Sequence, residues 1–223
     1  MKRNLAFCLL SLLLPAVGTL AAAPTNNFAR WEKEIAAFER ADQTNPPPQH
    51  AVLFIGSSGI RLWKTLAKDF PEYSVINRGF GGSHIADATH FAERIIFPCQ
   101  PRLIVLRSGS NDLQADKAPA QVAADFKAFA EKLRGKFPEM KIVFISINPT
   151  IARLKNLAKE QATNVLIADY IKQTPGLIFI STDKQYLGPD GQPRADLLAP
   201  DKLHFSPAGY RILTDLVKPA LTP

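Results

Sequence analysis

The sequence has few features that would stabilise or anchor the protein apart from an ordinary hydrophobic core. It contains only two cysteines, Cys8 and Cys99. Beyond the first 23 residues, no stretch approaches the roughly 20 consecutive apolar residues of a membrane helix. Lysine and arginine never form a dense run, which argues against nucleic-acid binding. No group of His, Cys, Asp and Glu has the spacing of metal ligands, so we expect no metal site.

The first 23 residues have the pattern of a cleaved export signal. Lys2 and Arg3 give a basic start, residues 5–14 form a short apolar run, and residues 21–23 are alanines suited to cleavage. An uncleaved membrane anchor is the alternative, although the apolar run is short for one. We therefore expect a periplasmic or secreted protein with no membrane segment after processing. Only Cys99 would remain, so no internal disulfide is expected.

The remainder of the chain predicts one domain preceded by a short extension. Residues 24–50 predict a leading helix over residues 28–42 and a stiff connector at the prolines 46–48. From residue 51 to residue 223, apolar runs alternate with amphipathic segments. Strands are expected at residues 51–55, 73–76, 102–106, 141–147 and 177–180, and helices at residues 60–68, 84–97, 119–137, 154–172 and from 207 onward. This alternation predicts a three-layer α/β/α fold around a five-stranded parallel sheet.

Polar or glycine-containing motifs follow the first four predicted strands. They occupy residues 56–59, 77–82, 109–112 and 148–153. Because the carboxyl ends of parallel strands meet at one edge, these motifs should share a crevice. Taken singly, each has an ordinary explanation as a helix cap, a flexible loop or a turn. The second motif fails the dinucleotide fingerprint, since His84 stands where its third glycine would be.

The last quarter of the chain supplies a paired carboxylate and imidazole. Asp201 precedes His204 by three residues, so one short loop can hold the carboxylate against one ring nitrogen. The other ring nitrogen is then free to act as a base. The base needs a nucleophile, and Ser57 and Ser58 follow the first buried strand. An early serine and a late Asp-x-x-His is one order in which a catalytic triad can be built.

The ordered set of motifs resembles the SGNH, or GDSL-like, hydrolase family. The resemblance runs from about residue 51 to residue 216. Residues 54–63 and residues 201–204 look closest to the platelet-activating-factor acetylhydrolase-like branch. The resemblance implies a flavodoxin-like SGNH hydrolase fold and a serine esterase that needs no cofactor.

The resemblance also implies a role for individual residues. Ser58 corresponds to the family's nucleophile, His204 to its base and Asp201 to the partner of that base. The oxyanion hole would consist of the Ser58 and Gly82 N–H groups and the Asn111 side-chain amide. Asp112, next to this asparagine, is expected to brace the loop or to cap the next segment.

Three positions depart from the family pattern. Ser57 replaces an aspartate and remains a rival nucleophile. Arg107 stands where related bacterial sequences often carry an aromatic residue, and it would bring positive charge to the crevice or form an internal ion pair. Lys202 occupies a position often held by glycine, with no clear chemical consequence.

The substrate is less well defined by the sequence. An acetyl or short-chain acyl ester, on a small molecule, glycan or lipid, is the first expectation. A longer acyl chain such as that of a lysophospholipid is the alternative. Four apolar side chains could either line an acyl site or belong to the core: Phe80, Leu197, Leu198 and Phe205. A ligand-binding module without turnover and a nucleotide-binding flavodoxin-like protein are the competing classes.

Overall fold

The computed structural model describes residues 27–222, so the predicted signal peptide at residues 1–23 lies outside the described residues. The strands are β1 (Val52–Gly56), β2 (Val75–Gly79), β3 (Leu103–Arg107), β4 (Lys141–Ile145) and β5 (Leu177–Ile180). The α-helices are α1 (Glu32–Thr44), α2 (Ser58–Arg61), α3 (Leu66–Asp69), α4 (Ile85–His90), α5 (Ala92–Ile95), α6 (Ser110–Gln114), α7 (Pro119–Lys136), α8 (Leu157–Lys172), α9 (Asp183–Tyr186) and α10 (Pro207–Val217). Short 3₁₀ turns occupy Phe28–Trp31, Phe97–Cys99, Ile151–Asn156, Ala195–Leu197 and Lys218–Leu221.

The five strands form one parallel sheet in the order β2-β1-β3-β4-β5. This is the flavodoxin-like order, and it confirms the predicted fold class. After β1 the chain forms β2 at one edge of the sheet. It then returns to form β3 on the other side of β1 and continues through β4 to β5 at the opposite edge. In such sheets the crevice between the two carboxyl ends is where ligands bind. The site described below lies at the carboxyl ends of β1 and β3.

Successive strand residues face opposite layers, so the sheet is covered on both sides. Leu53 and Ile55 pack into the cluster with α4, α7 and α8, whereas Val52 and Phe54 pack into the cluster with α10. All four of these side chains are fully buried. Burying one such side chain contributes roughly 1.5–3 kcal/mol. Buried residues on both faces of β1, β3 and β4 must therefore be apolar, which explains the continuous apolar runs in the sequence.

Several predicted helices are interrupted where a large side chain must reach the core. The helix expected over residues 60–68 is two short helices, because the chain turns at Trp63 to bury its indole against Phe54 and Phe70. The helix expected over residues 84–97 is likewise divided into α4, α5 and a 3₁₀ turn. The leading helix extends to Thr44 and begins with a 3₁₀ turn.

Two further features of the described residues concern the cysteine and the helices. Cys99 is a free, buried thiol, as expected of a small core side chain. Within residues 27–222, no helix is both long enough and apolar enough to cross a membrane.

Candidate active site

The turn after β1 presses closely against the end of β3. Gly56 has a φ of +149°, and a Cβ at this position would lie 2.0 Å from the Arg107 carbonyl oxygen. Only glycine fits there, and the Ser57 N–H donates to the same carbonyl at 3.3 Å. Ser57 has an extended backbone, and Ser58 is the first residue of α2. The Ser58 side chain is thereby held at the sheet edge.

Ser58, His204 and Asp201 form a continuous chain of contacts. The Ser58 Oγ lies 2.9 Å from the His204 Nε2, and the His204 Nδ1 lies 2.6 Å from the Asp201 Oδ2. The expected nucleophile and base are thus within hydrogen-bond distance, and the expected base is oriented by a third group. Ser57 also borders the pocket. Its side chain makes no contact with His204 among the described hydrogen bonds, which favours Ser58 over Ser57 as the nucleophile.

Asp201 holds the histidine loop through its second carboxylate oxygen. The Asp201 Oδ1 accepts the backbone N–H groups of Leu203 at 3.0 Å and His204 at 2.9 Å. The His204 contact, together with these two N–H groups, lowers the pKa of Asp201 to about 2. The carboxylate is therefore ionised throughout the neutral range. Lys202 between them has a φ of +57°, a left-handed conformation that explains why glycine is common at this position.

The three expected oxyanion donors lie in adjoining loops. Because Ser58 begins a helix, its N–H has no partner within the helix. Gly82 has a φ of +79°, and its N–H has no acceptor among the described hydrogen bonds. The Asn111 Nδ2 donates to the carbonyl of Ser83 at 3.0 Å. Its second N–H remains for a ligand, so Asn111 can donate to an oxyanion only through that hydrogen.

Asp112 ties together the loops that carry Gly82 and Asn111. Its carboxylate is fully buried, accepts the Ile85 N–H at 3.3 Å and pairs with the Lys117 ammonium at 2.9 Å. The first contact joins the start of α4 to α6. The expectation that Asp112 braces the loop therefore agrees with the structure.

Arg153 fixes the orientation of the Asn111 amide, a role that sequence reasoning missed. Its guanidinium donates to the Asn111 Oδ1 at 2.8 Å and to the Ser110 Oγ at 2.9 Å. The Asn111 oxygen is therefore occupied, and its nitrogen must face the opposite way. Arg153 has a non-helical backbone, with φ −124° and ψ 24°. The motif at residues 148–153 indicates that this segment lies at the crevice, but the sequence pattern does not indicate that Arg153 contacts Asn111.

Glu160 is a second functional neighbour that the sequence analysis did not identify. It is 1 % exposed, and its Oε1 is 3.4 Å from the Ser110 Oγ. Burial raises the pKa of Glu160 to about 7, against the opposing effects of the Ser110 hydrogen bond and the Arg153 and Arg107 charges. The sequence of α8 contains a signal that could have identified Glu160. Polar residues occur on the face of this helix that also buries Ile167, namely Glu160, Thr163 and Asn164.

The pocket beside Ser58 is small, and most of the residues that line it are polar. It encloses ≈ 40 Å³, whereas a single water needs roughly 10–15 Å³. Its walls come from the turn after β1, the ends of β3 and β4, and the His204 loop. The lining residues are Ser57, Ser58, Gly59, Arg107, Ser108, Ser110, Asn111, Ser146, Ile147, Asn148, Thr150, Arg153, Leu203, His204 and Phe205. The cavity therefore has room for a group the size of a few waters.

Arg107 lies at the wall of this pocket, beside Gly59 and the Phe205 ring. Its Nη2 donates to the Asn148 Oδ1 at 2.5 Å, and its Cζ is 4.4 Å from the centre of the Phe205 ring. The guanidinium also occupies the space that a side chain at Gly59 would need. Burial lowers the pKa of both Arg107 and Arg153. Arginine begins from such a high pKa that both keep their charge at neutral pH.

Of the four residues that could line an acyl site or belong to the core, three do not border the pocket. Phe80 is fully buried in the core, where its ring packs 5.6 Å from that of Trp31, and it does not border the pocket. Leu197 and Leu198 are 2 % and 8 % exposed and also belong to the core. Phe205 is the member of this group that borders the pocket. Residues 27–222 contain no cluster of three His, Cys, Asp or Glu side chains that could hold a metal ion.

Comparison with known proteins identifies the family. The sequence profile of the GDSL-like lipase/acylhydrolase family matches residues 56–212, more than half of the chain. The chain belongs to this family. It is therefore a hydrolase of carboxylic esters, and the family predicted from the motifs is confirmed. A search of curated proteins gave no significant match.

Solved structures agree with the fold at low sequence identity. A Streptococcus pneumonia protein provisionally described as a platelet activating factor is 20% identical, with a TM-score of 0.77 over 87% of this chain and 94% of its own. A GDSL-like lipase from Bacteroides thetaiotaomicron is 21% identical, with a TM-score of 0.67 over 87% and 96%. An acetyl xylan esterase is 20% identical, with a TM-score of 0.64 over 77% and 99%. At such identities these likenesses concern the fold.

Proposed function

We propose that this protein is an exported serine esterase that hydrolyses acetyl or short-chain acyl esters. The observation that carries the proposal is the unbroken contact chain from Asp201 through His204 to Ser58. The position of these three residues also supports the proposal, because they lie at the topological switch point of the sheet.

In this mechanism Ser58 attacks the ester carbonyl. A serine hydroxyl is a weak nucleophile at neutral pH, so the His204 Nε2 removes its proton as the bond forms. The ionised Asp201 holds the imidazole in the required tautomer and stabilises the imidazolium. The Ser58 and Gly82 N–H groups and the free Asn111 N–H stabilise the oxyanion. His204 then protonates the departing alcohol, and a water molecule activated in the same way cleaves the acyl-enzyme.

The dimensions and polarity of the pocket support a short acyl group. A volume of ≈ 40 Å³ is too small for a long hydrocarbon chain inside the cavity. All four apolar residues that could have extended an acyl site are buried in the core, and three of them, Phe80, Leu197 and Leu198, do not border the pocket. The acetyl xylan esterase among the structural neighbours is consistent with a small acyl group, although it shares only the fold.

Rates across a series of acyl lengths test this preference. We expect the purified protein to hydrolyse p-nitrophenyl acetate and butyrate with a higher kcat/KM than the octanoate and palmitate. A maximum at octanoate or beyond would contradict the short-acyl proposal and favour a lysophospholipase or lipase. If no ester is hydrolysed, labelling of Ser58 by a fluorophosphonate separates a selective enzyme from a binding module, because only an activated serine reacts.

We also propose that residues 1–23 direct export and are removed. The support is the sequence pattern of a basic start, an apolar run and an alanine cleavage region. Expression of the full chain in a bacterium, followed by fractionation and mass determination of the N-terminus, tests the proposal. A protein recovered from the cytoplasm with residues 1–23 intact would contradict it.

A further inference from the structure

The pocket beside Ser58 contains two guanidinium groups without a carboxylate partner. Arg107 and Arg153 both border the cavity, and their hydrogen bonds go to the neutral side chains of Asn148, Ser110 and Asn111. Among the described residues, neither guanidinium has a carboxylate oxygen within the 4.0 Å of an ion pair. The alternative role of Arg107, an internal ion pair, is therefore not found among residues 27–222.

Buried hydroxyl groups in the same wall also lack partners. The Thr150 Oγ1 and Ser108 Oγ have no hydrogen-bond partner, although these residues are only 3 % and 6 % exposed. The Arg107 Nε is likewise unpaired. Buried polar groups without partners are uncommon and costly. All three residues line the pocket, so its wall contains polar atoms whose hydrogen bonds are not satisfied within the protein.

The local charge is positive even when Glu160 is counted. Its carboxyl lies behind Ser110 rather than in the cavity wall. Burial raises the pKa of Glu160 to about 7. Even when this carboxyl is ionised, it opposes the two guanidinium charges with a single negative charge. Asp201 does not change this balance inside the cavity, since it lies on the far side of the His204 ring.

Three neighbouring residues fix the position of the Arg107 guanidinium. A Cβ at Gly59 would lie 1.6 Å from the Arg107 Nη1, so glycine at this position leaves room for the group. The Phe205 ring covers it at 4.4 Å, and Asn148 holds one of its nitrogens. These three contacts place the charge directly between the residue after Ser58 and the residue after His204.

We infer that this pocket binds a carboxylate carried by the ester substrate, next to the ester bond that is cleaved. Arg107 is the residue that recognises it. Planar guanidinium groups are well matched to carboxylates. This inference rests on the proposed esterase function and narrows its substrate class to acidic esters. The carboxylate belongs either to the acyl group or to the alcohol.

Two pairs of stable esters distinguish these sources. Monomethyl succinate against methyl succinamate places the charge, or its neutral amide, on the acyl side. Acetoxyacetate against acetoxyacetamide places it on the alcohol side. Hydrolysis is followed in a pH-stat at pH 7.5 and constant ionic strength. For at least one pair we expect kcat/KM of the acid to exceed that of the amide by about 10- to 100-fold, the range for a hydrogen bond to a charged group.

Variants of the pocket show whether Arg107 causes the preference. In Arg107→Gln the acid-to-amide ratio should fall to about one, and Arg107→Lys should retain part of it. Arg40→Gln removes an exposed arginine on α1 and should leave the ratio unchanged. A wild-type ratio near one for both pairs would overturn the inference, as would a ratio that survives Arg107→Gln. In either case hydrolysis of the neutral esters would leave the proposed function standing.

A binding measurement decides the inference even without turnover. The Ser58→Ala protein is titrated by thermal shift with acetate and succinate and with acetamide and succinamide. We expect at least one carboxylate to raise Tm more than its amide, and the difference to disappear when Arg107→Gln is added. Equal shifts for acids and amides would refute carboxylate binding. If no ester is hydrolysed by the wild type, the proposed function fails separately, and this titration alone tests the pocket.

Discussion

Replacing Glu160 by glutamine should stabilise the protein at alkaline pH and have little effect at acidic pH. The Glu160 carboxyl is 1 % exposed, and burial raises its pKa from 4.5 to about 7. Each pKa unit corresponds to about 1.4 kcal/mol, so full ionisation costs the folded state about 3 kcal/mol. The folded state binds the proton more tightly than the unfolded state. The stability is therefore fully present below pH 4.5 and is lost as the pH rises through 7.

Glutamine has the shape of the protonated carboxyl but cannot ionise. We therefore expect Glu160→Gln to have a free energy of unfolding up to about 3 kcal/mol greater than wild type at pH 8 and a similar value at pH 4.5. Urea unfolding at both pH values measures the difference. Glu139→Gln, at an exposed position, shows what the loss of a surface carboxylate does by itself. If Glu160→Gln is no more stable than wild type at pH 8, or gains equally at both pH values, the reasoning is refuted.

Three other substitutions test the site and its packing. Asn111→Ala should lower kcat for p-nitrophenyl acetate by about 10²–10³-fold with little change in KM, as expected for an oxyanion donor; a change confined to KM would contradict this role. Asp201→Asn should lower kcat by about 10⁴-fold while thermal unfolding stays near wild type, and a small loss of kcat would remove Asp201 from the triad. Gly59→Ala should lower Tm because its Cβ meets the Arg107 guanidinium, whereas Gly135→Ala on α7, with no atom within 4 Å, should raise stability by up to about 1 kcal/mol. Equal Tm changes for the two glycines would show that the close approach at Gly59 is unimportant.

The fold could be predicted because its signals are local and repeated. Strand residues buried on both faces must be apolar. β1 meets this requirement, as do β3 and β4 apart from Arg107 and Lys141 at their ends. The parallel arrangement follows from the helices between them. The divided helix at Trp63 could not be predicted, because the break depends on how the indole packs on the distant Tyr210. Helical periodicity contains no information about such a long-range contact.

The candidate site was predictable to the extent that its residues lie in short motifs. The Asp201 and His204 pair is encoded by a three-residue spacing, and the serine turn by a strand that ends in glycine. The contacts of Arg153 and Glu160 are not encoded in this way. They join residues more than 40 positions apart, such as Arg153 with Asn111 and Glu160 with Ser110. Phe80 shows that a short motif can also suggest a role that the structure does not support. An aromatic residue beside a functional loop can belong to the core as easily as to a pocket.

Hydrolysis of p-nitrophenyl acetate by wild type, Ser58→Ala and Ser57→Ala is the most direct test of the central claim that Ser58 is the nucleophile of an esterase. We predict that Ser58→Ala lowers kcat by several orders of magnitude, on the order of 10⁶-fold for such a nucleophile. Ser57→Ala should remain within about tenfold of wild type, because its side chain makes no contact with His204 among the described hydrogen bonds. Thermal unfolding of all three proteins verifies that each is folded. Undiminished hydrolysis by Ser58→Ala, or its loss in Ser57→Ala alone, would contradict the account.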